Sequence, residues 1–237
     1  MKTYVLVHGS WHGAWNWHRV MPILEAAGHH AFAPDLPTHG RDTTPTRVAT
    51  LDHCVDFLCA FLNGIEGKVI LLGHSKNGIV ISQVAERCPE KIEKLVYLAA
   101  YLIPDGKCQR DYAMQDKEGV LKPHVTFHAE TNATTLAPAI YREGLYADCG
   151  EEIIALANVM LRPEPFDSAI TPLQLSDGKF GSVPRIYIAC TNDKAVGPAI
   201  QRKMYTEMPC AKVFTMNTSH SPFFSRPAEL AAILMEL

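Results

Sequence analysis

The sequence has no Cys-x-x-Cys pair, no basic cluster and no apolar run long enough to cross a membrane. Its seven cysteines are scattered and odd in number, which predicts buried free thiols in a reducing compartment and argues against a disulfide framework. A formal net charge of −3 gives no electrostatic attraction to nucleic acid. The apolar start, residues 4–7, is too short for a signal peptide. We therefore expect a cytoplasmic protein without nucleic-acid or membrane partners.

Short apolar runs alternate with helix-length segments along most of the chain. The predicted strands are Tyr4–Val7, His30–Pro34, Val69–Leu72, Lys94–Ala100, Pro184–Cys190 and Lys212–Met216. The predicted helices are Trp17–Ala27, Leu51–Leu62, Gly78–Cys88, Ile153–Met160, Ala199–Met208 and Pro227–Leu237. Because the strands are continuous apolar runs separated by helices, we expect an α/β fold with a mostly parallel six-stranded sheet and helices on both faces.

Residues 101–180 interrupt this alternation. They mix helical and loop signals, and the interruption is too long for an ordinary connection. It follows the fourth predicted strand, at the edge of the sheet where open α/β sheets bind ligands. We therefore divide the chain into a core, residues 1–100 and 181–237, and an inserted cap, residues 101–180.

A G-x-S-x-N motif at residues 73–77 joins the third predicted strand directly to a helix. A serine at such a junction is typical of a nucleophile elbow, in which a strained backbone exposes the hydroxyl group. Gly73 lets the strand and the helix pass close to each other. Asn77 replaces the second glycine of the usual motif, and we expect it to be accepted because asparagine tolerates left-handed backbone. Ser75 is the candidate nucleophile.

A serine nucleophile needs a base, and the base needs a carboxylate that fixes its tautomer. His220 follows the last predicted strand, and Asp193 follows the fifth. Ser75, Asp193 and His220 thus stand at the carboxyl ends of three strands, in the chain order of α/β-hydrolases. Asp105, which follows the fourth strand, is an alternative acid.

The oxyanion of an acyl-transfer intermediate requires backbone N–H donors. We expect one donor from Lys76, the residue after the nucleophile, and the other from Ser10 in the loop after the first strand. Gly9 gives this loop room for a close approach, and Trp11 is a candidate for lining the pocket. Three histidines near this loop lack carboxylate or cysteine partners at ligand spacing, and we predict no metal site among them: His8, His12 and His18.

The segment from His8 to Trp15, His-Gly-Ser-Trp-His-Gly-Ala-Trp, resembles the opening signature of the plant methylesterase and hydroxynitrile lyase family. Further matches extend over the whole chain at Gly73–Ser75, Leu145–Cys149, Leu161–Pro163, Lys179–Val183 and Tyr187–Lys194. The resemblance implies an α/β-hydrolase fold, no cofactor, a lidded apolar pocket and, in many members, a homodimer. It also implies that Ser75 is the nucleophile, Asp193 the acid and His220 the base.

The resemblance also separates two activities. Lyases of this family carry threonine where this chain has Gly9, and lysine directly after the catalytic histidine, where this chain has Ser221. Both positions are therefore of the esterase type, and they are candidate substrate-binding positions. We expect a serine esterase that hydrolyses a small methyl or aryl ester through an acyl-enzyme. A hydroxynitrile lyase and a non-catalytic ligand-binding protein of the same fold are the alternatives.

Lys76 departs from the family, which has an apolar or small residue beside the serine. If its ammonium group reached the pocket, it would favour an acidic or phenolic substrate. Because a buried unpaired cation is costly, we expect instead that its stem packs and its ammonium group reaches water.

Overall fold

The computed structural model describes all 237 residues, and its centre is a six-stranded sheet. The strands of the chain are β1 (Thr3–Val7), β2 (His30–Phe32), β3 (Val69–His74), β4 (Ile92–Leu98), β5 (Val125–His128), β6 (Ala133–Leu136), β7 (Glu164–Pro165), β8 (Arg185–Cys190) and β9 (Lys212–Met216). The central sheet has the order β2-β1-β3-β4-β8-β9, and every neighbouring pair is parallel. The predicted α/β fold with six strands is confirmed.

Helices cover both faces of this sheet. They are α1 (Met21–Ala26), α2 (Leu51–Asn63), α3 (Gly78–Arg87), α4 (Gln109–Ala113), α5 (Glu151–Met160), α6 (Asp167–Ile170), α7 (Pro198–Glu207), α8 (Pro222–Ser225) and α9 (Pro227–Met235). Alternate strand residues point to opposite faces. Val5 and Val7 pack with α2, α3 and α7 on one face, whereas Tyr4 and Leu6 pack with α1, α5, α8 and α9 on the other. No helix has the length and apolar character that a membrane span requires.

The predicted helix Trp17–Ala27 is shorter in the structure. A 3-10 turn occupies Ala14–Trp17, and the α-helix begins only at Met21. Pro22 explains the late start, because proline has no backbone N–H and fits an α-helix only in its first turn. The helix is followed by Gly28 in the left-handed region, with φ of 83°.

The segment 101–180 contains a second, small sheet that the sequence did not predict. Its antiparallel strands have the order β5-β6-β7 and are only two to four residues long. Such short strands carry too few residues for a readable alternation of apolar and polar side chains. The helix predicted at Ile153–Met160 is present as α5. The loop after β1 contacts this small sheet, since Trp11 Nε1 donates to the Thr134 carbonyl at 3.2 Å.

Candidate active site

Ser75 lies at the sharp turn between β3 and α3. Its φ is 56°, a left-handed conformation that is strained for a residue with a side chain. Two glycines make this turn sterically feasible. A Cβ atom on Gly73 would lie 2.8 Å from the Asn77 carbonyl oxygen, and one on Gly78 would lie 2.4 Å from the Tyr101 carbonyl oxygen. The backbone around Ser75 therefore has the geometry of a nucleophile elbow.

Asn77 occupies the place of the second glycine without using the tolerance of left-handed backbone that we gave as the reason. Its φ is −74° and its ψ is 7°, which other residues also adopt readily. Ser75 is the residue of the motif that takes the left-handed conformation. The side chain of Asn77 makes a structural contact, because Nδ2 donates to the His8 carbonyl oxygen at 2.6 Å. This bond joins the elbow after β3 to the end of β1.

The structure brings His220 and Asp193 into direct contact. His220 Nδ1 lies 2.7 Å from Asp193 Oδ2, and both side chains are buried. A carboxylate can only accept hydrogen bonds, so Nδ1 carries the proton and Nε2 of the neutral ring is left with a free electron pair. The other carboxylate oxygen, Oδ1, accepts the backbone N–H groups of Ala195 at 2.7 Å and Val196 at 3.0 Å. His220 thus has the tautomer that a general base requires.

His74 links this pair to the elbow, a role that sequence analysis missed. The ring of His74, the residue before Ser75, lies 4.4 Å from the ring of His220, centroid to centroid. Its Nε2 donates to the His220 backbone carbonyl at 2.9 Å. Burial lowers the pKa of His74 well below its ordinary value, so the ring is neutral. The alternative acid, Asp105, is not part of this group and accepts the Leu175 N–H at 2.8 Å.

The two expected oxyanion donors, Ser10 and Lys76, both border one cavity. The Ser10 N–H has no hydrogen-bond acceptor within the protein. Its carbonyl oxygen accepts a hydrogen bond from His12 Nδ1 at 2.6 Å, which fixes the loop. Burial lowers the pKa of His12 to about 3, so this ring is also neutral. Lys76 lies in the first turn after Ser75, where backbone N–H groups lack intrahelical acceptors.

The cavity has a volume of about 470 Å³, and half of its lining residues are hydrophobic. Trp11 lines it, as expected, whereas Gly9 and Ser221 do not. Gly9 packs closely against Ser75 and His74, because a Cβ atom there would be 3.0 Å from Ser75 Cβ and 2.7 Å from His74 Nδ1. Ser221 is fully buried, and its hydroxyl has no hydrogen-bond partner.

The Lys76 ammonium group does not reach water, contrary to our expectation. The residue is only 6% exposed, and its Nζ forms an ion pair with Glu164 and donates to Ser168 Oγ at 2.7 Å. The prediction failed because a buried acid from a distant segment compensates the charge. Glu164 was not among the residues predicted from the sequence. Lys76 was the one indication of it, since a cation directly beside a buried serine requires an acidic partner.

Comparison with known proteins adds the evolutionary context of this geometry. Residues 4–233 match the model of the "Alpha/beta hydrolase family". The chain belongs to this family. Methylesterase 7 of Arabidopsis thaliana is 35% identical to this α/β-hydrolase, covering 100% of this chain and 96% of the relative.

Two solved structures are similar over almost the whole chain. The crystal structure of polyneuridine aldehyde esterase has a TM-score of 0.87 and 27% identity, covering 100% of this chain and 98% of that one. A pyrethroid hydrolase from Sphingobium faniae JZ-2 has a TM-score of 0.89 and 28% identity, covering 99% and 96%. Together with Methylesterase 7, these matches confirm the resemblance to the plant methylesterase family that the sequence motifs indicated.

Proposed function

We propose that this α/β-hydrolase is a serine esterase that hydrolyses a small carboxylic ester of the methyl or aryl type. The observation that carries the proposal is the buried hydrogen bond of 2.7 Å between His220 Nδ1 and Asp193 Oδ2, with His74 joining this pair to the strained elbow at Ser75. The esterase names of a sequence relative and a structural neighbour support the same reaction class.

In the proposed mechanism each group has one role. Ser75 Oγ attacks the ester carbonyl carbon while His220 Nε2 takes the hydroxyl proton, and Asp193 stabilises the imidazolium. The carbonyl oxygen becomes an oxyanion, which accepts hydrogen bonds from the N–H groups of Ser10 and Lys76. The intermediate collapses as His220 returns the proton to the leaving alcohol. Water then hydrolyses the acyl-enzyme by the same sequence of proton transfers, which releases the acid and regenerates Ser75.

The cavity supports a compact, largely apolar substrate. Its volume of about 470 Å³ suits a small ester, and the segment 101–180 supplies much of its wall. In this proposal the segment is the cap of the enzyme. The Lys76 ammonium group is compensated by Glu164, so it provides no net positive charge that would select an acidic substrate. The cytoplasmic location and the homodimer that we predicted from the sequence stay predictions.

Cyanohydrin cleavage is less compatible with the site. The threonine of the lyases does not fit at Gly9 without displacing His74, given the contact of 2.7 Å that a Cβ atom would make. Ser221 offers no charge to stabilise departing cyanide. A purely ligand-binding role leaves the ordered hydrogen bonds around Asp193 without a purpose.

Hydrolysis of p-nitrophenyl acetate and a panel of methyl esters tests the proposal. We expect turnover by the wild type and a loss of at least about 10³-fold in kcat for Ser75→Ala, because the nucleophile is removed. Ser182→Ala is the matched control, since this serine is exposed and its hydroxyl bonds only to the Lys179 carbonyl.

Equal rates for the wild type and Ser75→Ala would refute the esterase. Cyanide release from mandelonitrile above background, without ester turnover, would support the lyase. Tight ligand binding with no product after long incubation would support a binding protein.

A further inference from the structure

Glu164 is a fully enclosed carboxylate at the start of β7, in the segment 101–180. It is only 4% exposed, yet it borders the cavity beside the elbow. Three groups donate to it. Oε1 accepts from the Lys76 ammonium group, and Oε2 accepts from the Trp11 backbone N–H at 2.8 Å and from His39 Nε2 at 2.9 Å.

The electrostatics show that Glu164 is held as an anion. Burial alone would raise the pKa of the Glu164 carboxyl, but the Lys76 ammonium group and His39 outweigh this effect and hold the pKa well below its usual range. Hydrogen bonds to a buried charged group are strong, and removal of one partner leaves the others uncompensated. The hydrogen bonds of Glu164 therefore hold their donor groups in fixed positions.

This inference rests on the proposed function, in which the N–H groups of Ser10 and Lys76 form the oxyanion hole. The contacts of Glu164 lie on both sides of that hole. Lys76 supplies one oxyanion donor through its backbone N–H, and Glu164 holds the side chain of the same residue. Ser10 supplies the other donor, and Glu164 holds the next amide along the chain, the N–H of Trp11. Trp11 has a φ of 62°, a strained conformation that requires external support.

We propose that Glu164 is a positioning residue that sets the separation of the two oxyanion donors, Ser10 N–H and Lys76 N–H. A single rigid carboxylate joins the loop after β1 to the turn after β3, and it does so from the segment that covers the site. The chemistry at Ser75 then depends on a residue that is hydrogen-bonded to neither the nucleophile nor the base. Donors placed in advance stabilise the oxyanion without reorganisation during the reaction.

Kinetics of Glu164→Ala and Glu164→Gln with p-nitrophenyl acetate test this role. Because removal of one oxyanion donor costs about 10²–10³ in kcat, we expect a loss of about 10²-fold for Glu164→Ala with KM almost unchanged. Glu164→Gln keeps an oxygen for the Trp11 N–H, so we expect a smaller loss of about tenfold. If the alanine variant does not fold, as judged by its thermal melt, the glutamine variant alone decides the test.

A second measurement separates positioning from general loosening of the fold. An aryl trifluoromethyl ketone adds to the serine hydroxyl, so that its oxygen becomes an oxyanion in the hole, whereas the matching methyl ketone stays trigonal. We expect the Kd of the trifluoromethyl ketone to rise in parallel with the fall in kcat/KM, and the Kd of the methyl ketone to stay the same. Glu86→Ala is the matched control, because Glu86 also accepts backbone N–H groups, those of Ser176 and Phe180, outside the site.

The outcomes are distinct. A raised KM with unchanged kcat would overturn the inference and make Glu164 a substrate-binding residue. Equal weakening of both ketones, or wild-type kcat in both Glu164 variants, would also overturn it. None of these three results would contradict the proposed esterase function, provided that Ser75→Ala remains inactive. If wild type and Ser75→Ala react equally, the proposed function itself fails.

Discussion

Four N–H groups donate to the carboxylate of Asp193. They belong to His220, Gln201, Ala195 and Val196. A side chain held in this way cannot rotate, so the imidazole that it orients has one tautomer and one plane. At the scale of single residues, the orientation of the His220 ring therefore depends on how firmly Asp193 is held.

Asp193→Asn should lower kcat by about 10²–10⁴ with little change in KM, since an amide N–H facing His220 Nδ1 forces the proton onto Nε2 and removes the base. Steady-state kinetics with p-nitrophenyl acetate measure the effect. Asp105→Asn is the matched control and should retain activity, because Asp105 accepts only a backbone N–H outside the site. Full activity in Asp193→Asn together with an inactive Asp105→Asn would instead assign the role of the acid to Asp105.

The three residues of the proposed triad could be chosen from the sequence, but two neighbours of Ser75 could not be interpreted. Ser75, Asp193 and His220 each follow an apolar strand, so local patterns were sufficient to propose them. Lys76 and Asn77 depend on partners 88 and 69 residues away in the chain, Glu164 and His8. No local pattern indicates partners at such a distance, and the expectation that the Lys76 ammonium group reaches water was wrong for this reason.

At the scale of secondary structure, the strands of the central sheet were predictable and the short strands of the small sheet were not. β3 and β8 are continuous apolar runs and were predicted within two residues of their bounds. The strands of the small sheet are too short for a pattern, and their pairing with the loop after β1 depends on tertiary contacts such as the bond from Trp11 to Thr134. The strands within the segment 101–180 could therefore not be predicted from the sequence.

The junction of β3 and α3 permits a clean steric test. Gly78 and Gly64 both have right-handed backbone that alanine adopts readily, with φ of −54° and −75°. A Cβ atom on Gly78 would lie 2.4 Å from the Tyr101 carbonyl oxygen, whereas one on Gly64 has its nearest contact at 3.4 Å. We expect Gly78→Ala to reduce the free energy of unfolding by about 2 kcal/mol or more.

Gly64→Ala should be neutral or stabilise by up to about 1 kcal/mol, because alanine restricts the unfolded chain. Urea unfolding of both variants gives the comparison. Equal effects of the two substitutions would show that the close approach of α3 to the Tyr101 backbone does not determine stability.

At the scale of the whole molecule, three of the buried histidines around the ends of β1 and β3 have strongly lowered pKa values. Burial lowers the pKa values of His8 and His74 well below the ordinary 6.5 and that of His12 to about 3. The folded protein therefore excludes protons that the unfolded chain binds. The contribution of these neutral histidines to the free energy of unfolding is complete above pH 6.5. It is lost as the pH falls from 6.5 towards their pKa values in the folded state. Acid should thus weaken the fold well before carboxylates begin to titrate.

We expect His12 alone to lower the free energy of unfolding by about 2 kcal/mol between pH 7 and pH 5, given 1.36 kcal/mol for each pH unit below 6.5. Urea unfolding at a series of pH values measures the slope of the free energy of unfolding against pH. His12→Gln should reduce this slope by the equivalent of about one proton taken up on unfolding, whatever its effect on stability at pH 7. His18→Gln is the matched control, since this side chain is exposed. A wild-type slope in His12→Gln would mean that His12 is protonated in the fold, and its ring could then not accept a hydrogen bond from Tyr146.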